Sequence, residues 1–182
     1  MHRRPVEDIL SFWFGVPDRT AWFKADVTFD QALGEAFEEL VLPATAGGLD
    51  DWTTTPDGAT ALLLVLDQFP RNIYRGTPRA FASDAKAREV ARDVLAAGLD
   101  RQVPEDRRPF LYLPFEHSER LEDQDLCCRL MATLEDPEML DYAERHRVII
   151  RRFGRFPHRN LILGRVSTPE EEEFLKEPGS SF

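Results

Sequence analysis

Ala61-Leu62-Leu63-Leu64-Val65-Leu66 is the longest apolar run in the chain, and its reading decides the fold. It is apolar on every side, as expected of a helix buried among other helices rather than one with a single greasy stripe. A bilayer span needs about 20 such residues, so the run is far too short to cross a membrane. Thr55-Pro56 supplies its start, a cap followed by a first-turn proline, and Pro70 its expected end.

Working outward from this helix, the periodicity is helical almost everywhere. Pro5 opens a first helix with Ile9, Leu10, Phe12 and Trp13 apolar, closed by Gly15 and Pro17. Thr28 and Gln31 form a capping-box pattern ahead of Leu33, Phe37, Leu40 and Val41, with Gly47-Gly48 as the stop. Ser83 or Asp84 caps the helix carrying Ala87, Val90, Ala91, Val94 and Leu95, and Gly98 follows it. Pro104 with Glu105-Asp106 begins a fifth, which Pro114 must kink or end. Ser118 is placed to cap a sixth through Leu121, Cys128, Met131 and Leu134. Asp136-Pro137 opens a seventh with Met139, Tyr142, Ile149, Ile150 and Phe153. Thr168-Pro169-Glu170-Glu171 starts a short eighth. No stretch alternates as a strand. The expectation is an all-α fold of about eight helices, in which short loops make consecutive helices antiparallel neighbours.

A length of 182 residues suits a single domain over 1–182 with one core, and Glu-Pro-Gly-Ser-Ser-Phe at 177–182 reads as a flexible tail. A net charge of −10 argues against general affinity for nucleic acid, which clustered Lys and Arg would drive. Only Lys24, Lys86 and Lys176 are lysines, and the remaining basic residues are Arg, the side chain suited to bidentate recognition of carboxylate or phosphate. The adjacent Cys127 and Cys128 cannot staple distant parts of the fold and fit a reducing compartment. The N-terminus, with His2 in it, lacks the pattern of a signal peptide. A cytoplasmic protein with no membrane association is expected.

Three polar stretches stand out. Asp67-Gln68-Phe69-Pro70-Arg71-Asn72-Ile73-Tyr74-Arg75 follows the most apolar helix, where polar groups near a core must be paired. Either they knit the helix end to its neighbours, or Arg71 or Arg75 holds an anion, with Gln68 and Asn72 beside it. In Pro114-Phe115-Glu116-His117-Ser118-Glu119, a histidine lies between two carboxylates at a helix break. Such a setting fixes a tautomer and raises a pKa, as acid or base work near neutral pH requires, though a capping network about Ser118 accounts for it too. The third stretch holds Arg145, Arg147, Arg151, Arg152, Arg155, Arg159 and Arg165 within an acidic chain. There Phe156-Pro157-His158-Arg159-Asn160 offers His, Arg and Asn on a turn, while His146 falls on the apolar stripe as a core histidine. Phe69-Pro70-Arg71-Asn72 and Phe156-Pro157-His158-Arg159-Asn160 echo each other and imply two similar proline corners. With no His-Glu-x-x-His pattern, paired cysteine ligands or phosphate loop, no metal or cofactor is expected.

These three stretches, with Phe12-Trp13-Phe14-Gly15 near the start, resemble the bacterial family catalogued as domain of unknown function nine-two-four, over nearly the whole chain. The resemblance implies a tetratricopeptide-repeat-like, right-handed array of stacked antiparallel helix pairs, and it brings no settled activity.

Two functions follow from the residues. In one, the protein binds an acidic small molecule or a peptide carboxylate, received by Gln68, Arg71, Asn72, Arg75, Arg155, Arg159 and Asn160 between aromatic walls of Trp13, Trp22 and Phe69, with room for a protein partner. In the other, it is a hydrolase-like acid/base enzyme: His117 or His158 transfers protons, Glu116 or Glu119 orients the imidazole, and an Arg stabilises negative charge.

Overall fold

The helix that carries the apolar run begins where its cap predicts: Thr55 at the N-cap accepts from the Gly58 N–H at 3.1 Å, and Pro56 occupies the first turn. In the computed structural model, which describes residues 6–16, 22 and 25–181, every regular element is helical. The chain divides into two compact units, Met1–Arg75 with Arg79–Pro114, and Gly76–Pro78 with Phe115–Phe182.

The first unit contains α1 (Val6–Phe14), α2 (Val27–Thr45), α3 (Pro56–Leu63), a π-turn (Leu64–Gln68), α4 (Phe69–Ile73) and α5 (Asp84–Ala96). It also holds α6 (Pro109–Glu116) as far as Pro114. All six residues of 61–66 are 0% exposed, because α1, α2 and α5 pack around the rod formed by α3, the π-turn and α4. Trp13, Trp22 and Phe69 are buried, with Trp13 against both partners at centroid separations of 6.2 and 5.7 Å.

Pro70 does not end the helix as expected. A proline at this position removes the N–H that would reach the Leu66 carbonyl and crowds that turn. The π-turn relieves the crowding, with the Phe69 N–H donating to the carbonyl of Leu64, and the Ser83 hydroxyl donates to the Leu66 oxygen at 2.6 Å. The chain therefore stays helical to Ile73. Ser83 sits at the N-cap of α5 but spends its hydroxyl on Leu66, so it makes no side-chain cap.

Other boundaries also moved. α2 is capped by Asp26, whose carboxylate accepts from the N–H groups of Thr28 and Phe29, while Gln31 donates to Glu35. Pro104 opens only a single 3₁₀ turn (Glu105–Arg107) before α6, and Pro114 lies inside α6 without ending it. Pro5 and Pro17, the expected limits of the first helix, fall outside the described residues, as do His2 and Lys24.

The second unit holds α7 (Leu121–Met131), α8 (Pro137–Phe153), a 3₁₀ turn (Pro157–Arg159) and α9 (Pro169–Phe174). α7 and α8 pack on each other across the short connection 132–136, and Ile149, Ile150, Phe156 and Phe174 form a core with Phe153 against it. Cys127 and Cys128 are buried in α7 as free thiols. Asp136 caps α8 through the Glu138 N–H at 2.9 Å. At α9 the capping box is complete, with the Glu171 N–H donating to Thr168 Oγ and the Thr168 N–H to Glu171 Oε2. The two proline motifs do not form similar corners. Gly154, left-handed at φ +68°, stops α8 before Pro157 is reached, whereas the rod through Pro70 continues because Ser83 replaces the lost donor. Among the described residues no helix is long and apolar enough to cross a membrane.

Replacing Ser83 by Ala strands the buried Leu66 carbonyl. Urea unfolding should show a loss of about 1–3 kcal/mol, the cost of one unsatisfied buried acceptor, with the m-value unchanged.

Candidate functional site

In the first unit, the polar groups at the end of the central rod are bound to acids of that same unit. Arg71 forms a bidentate pair with Asp84 at 2.9 and 3.1 Å and lies 3.3 Å from Asp67 Oδ1. Gln68 donates to Asp67 at 2.5 Å. Asn72 and Arg75 share Asp30, with Asn72 donating at 2.7 Å and Arg75 at 3.0 and 3.2 Å. The π-turn thus holds a buried acid beside a guanidinium that neutralises it, the condition for keeping either in a core.

The second and third stretches meet within the second unit. α6 ends at Glu116 without a glycine stop, and Gln124 of α7 closes it, its Nε2 donating to the carbonyls of Glu116 at 2.6 Å and Ser118 at 2.7 Å. Ser118 turns the chain toward α7 by donating to Asp123 and accepting from the Arg120 N–H, so Arg120 rather than Ser118 is the N-cap residue. This turn presents Glu119 to the corner after α8. Arg165 grips Glu119 through both guanidinium arms at 2.7 and 2.9 Å, and the Phe156 N–H donates to the same carboxylate at 2.8 Å. Burial pushes the Glu119 carboxyl up, but Arg165 and the Phe156 N–H outweigh it and hold it below the usual carboxylate range.

The corner itself closes on Gly164 at φ +66°, with the Arg165 N–H donating to the Asn160 carbonyl at 2.8 Å and the Arg165 side chain to Asn160 Oδ1. Arg155 forks onto Glu171 at 2.6 and 2.7 Å, and Asn160 donates to the same carboxylate at 3.2 Å. With the Arg155 bonds leading, these contacts hold Glu171 at about 2.

Inside this frame three histidines gather. Arg159, 6% exposed, donates to the His117 carbonyl at 3.0 Å and lies over the Phe156 ring at 4.5 Å. His158 packs against Phe156 with centroids 5.6 Å apart, and His117 and His146 are 6.4 Å apart. His146 is buried with Nδ1 2.8 Å from the Tyr142 carbonyl; a carbonyl only accepts, so Nδ1 carries the proton. Glu116, also buried, has one carboxylate oxygen 3.6 Å from that Nδ1 and the other 4.0 Å from Cys127 Sγ. Burial, with Arg159 next, lowers His158 to about 4 against the pull of Glu119; burial lowers His146 to about 3. The geometry thus joins His117, His158, Glu116, Glu119, Arg159 and Asn160 in one unit. Gln68, Arg71, Asn72 and Arg75 lie in the other. Among the described residues no group of three or more His, Cys, Asp or Glu is arranged to hold a metal ion.

Sequence reading missed Arg165 as the partner of Glu119, Gln124 as the plug of α6, and the approach of His146 to Glu116. Only Glu171 carried a signal, its capping-box spacing.

A sequence profile of one bacterial family matches residues 9–179. The chain belongs to the family described as Bacterial protein of unknown function (DUF924). This DUF924 member is similar to a solved protein of unknown function from Agrobacterium tumefaciens, with 42% identity, a TM-score of 0.91, and coverage of 95% of this chain and 97% of that one. No curated protein matches the chain.

Both lowered histidines are neutral in the native state, whereas the unfolded chain binds protons below about pH 6.5. Their contribution is therefore complete above pH 6.5 and drains away as the pH falls toward about 4 for His158 and about 3 for His146. Glu171 adds a loss only below about 4.5. The urea midpoint should decline between pH 6.5 and 4.5, less steeply in His158→Gln; a midpoint flat across that window contradicts the assignment.

Proposed function

We propose that the second unit binds a small molecule or peptide through a carboxylate received at His117, His158 and Arg159. The observation that carries this reading is their convergence: two stretches far apart in sequence bring two imidazoles and a guanidinium together, with Arg159 bonded to the His117 carbonyl. Beside burial, which is the largest cause, Arg159 opposes the protonation of His158, Glu119 favours it, and His117 and Arg165 oppose it further. A carboxylate is the complementary group.

Proton transfer is the second reading, and one observation favours it: His158 is unprotonated at neutral pH, the state a general base needs. The tetratricopeptide-like right-handed array is likewise our reading, supported by the packing of consecutive α7 and α8. A cytoplasmic setting is supported by two buried free thiols. Nucleic acid and membranes form no part of the proposal, given the net charge of −10.

A thermal-shift screen of carboxylated and phosphorylated metabolites tests the proposal. A ligand at 100 times its Kd stabilises by about 2.7 kcal/mol, and a carboxylate should do so in the wild type and not in Arg159→Ala or Arg159→Lys. If no carboxylate shifts the wild type, or if both variants respond equally, the reading falls.

A further inference from the structure

We infer that the outer face of α8 is an interface between two copies of this chain, which meet there with their α8 helices antiparallel. The inference is independent of the carboxylate reading.

α8 turns Ala143, His146, Ile149 and Ile150 inward and packs on α7. On the opposite side Glu138, Asp141, Tyr142, Arg145, Val148 and Arg152 are exposed, and their spacing of three and four residues makes them one continuous stripe. Two large apolar side chains lie within it, Tyr142 at 47% exposed and Val148 at 58%.

The charges of this helix are segregated along its length. Its acids, Glu138, Asp141 and Glu144, all precede Arg145, and its other arginines, Arg147, Arg151 and Arg152, all follow it. That order suits the dipole of the helix. It also selects what can lie against the stripe, because a uniformly acidic or uniformly basic partner is repelled by one end. A helix with the same order, laid antiparallel, meets opposite charge at both ends. A second copy supplies that helix, and a two-fold axis across α8 makes every contact twice.

Centred on Arg145, the pairing sets Tyr142 of each copy against Val148 of the other, and Glu138 against Arg152. The exposed apolar pair is thereby covered between two rows of opposite charge. The two Arg145 side chains meet at the axis, each paired with its own Asp141 at 2.6 Å and lying over its own Tyr142 ring at 5.5 Å. Their charge is therefore answered within each copy. Arg152 donates to Glu170 at 2.9 Å, but that pair is exposed and contributes little, so sharing the guanidinium with a second carboxylate costs little.

One helix pair buries less than the roughly 1,600 Å² of a standard interface, and the net charge of −10 keeps copies apart elsewhere, so the dimer is weak. Sedimentation equilibrium of the full chain at high protein concentration and about 0.15 M salt, where charges are screened beyond roughly 8 Å, should show a reversible monomer–dimer equilibrium. Arg152→Glu and Glu138→Arg each set like charges together at both ends of the pairing, and each alone should raise the dimer Kd by about tenfold or more. Mixed in equal amounts, the two variants should dimerise with each other, because each then faces the opposite charge. Val148→Asp, which buries a carboxylate against Tyr142, should abolish the dimer, and circular dichroism checks that each variant is folded. A wild type that stays monomeric, single variants that dimerise as the wild type does, or a mixture that associates no better than either variant alone would each overturn the inference.

Discussion

Glu119 and Arg165 lie 46 residues apart and are joined by a two-armed ion pair that also takes in the Phe156 N–H. This clamp fixes the turn after α6 against the corner after α8, and the cluster of His117, His158 and Arg159 exists because those two segments are held together. A bidentate carboxylate–guanidinium pair has a defined plane and direction, so it sets orientation as well as distance. Gln124, plugging α6 from α7, and Arg155 on Glu171, anchoring α9, stiffen the same frame from its other sides.

The abundance of arginine in an acidic chain has a structural explanation at most positions. Arg71, Arg75, Arg147, Arg151, Arg152 and Arg155 each face a carboxylate, of Asp84, Asp30, Asp125, Asp125, Glu170 and Glu171 in turn. In the third polar stretch, Arg145 and Arg165 are likewise paired, with Asp141 and Glu119. Exposed pairs of this kind contribute little each, roughly 0–1 kcal/mol. The half-buried ones matter more, because losing one partner leaves the other without compensation.

What was legible in the sequence follows from range. Caps act over three or four residues, so Thr55, Asp136 and Thr168 announced their helices and the structure places them there. Pro70 misled because its effect depends on Ser83, which lies 17 residues from the carbonyl it serves, and local rules see only the missing donor. Asp26 was passed over for Thr28 because both are capping residues and periodicity alone does not separate starts two positions apart. The polar stretches were visible as composition, but their partners were not: Asp30 meets Arg75 across 45 residues, and Arg159 reaches the His117 carbonyl across 42. Such pairs are settled by packing of the helices, which no short motif encodes.

The central claim is that the frame clamped by Glu119 and Arg165 presents His117, Arg159 and His158 to a carboxylate. Intermolecular nuclear Overhauser effects between the acetate methyl group and the protein locate a bound carboxylate directly. The account predicts cross-peaks to the ring protons of His117 and His158 and their loss in Arg159→Lys. Cross-peaks confined to the arginines of the first unit, or to none of these rings, would contradict it.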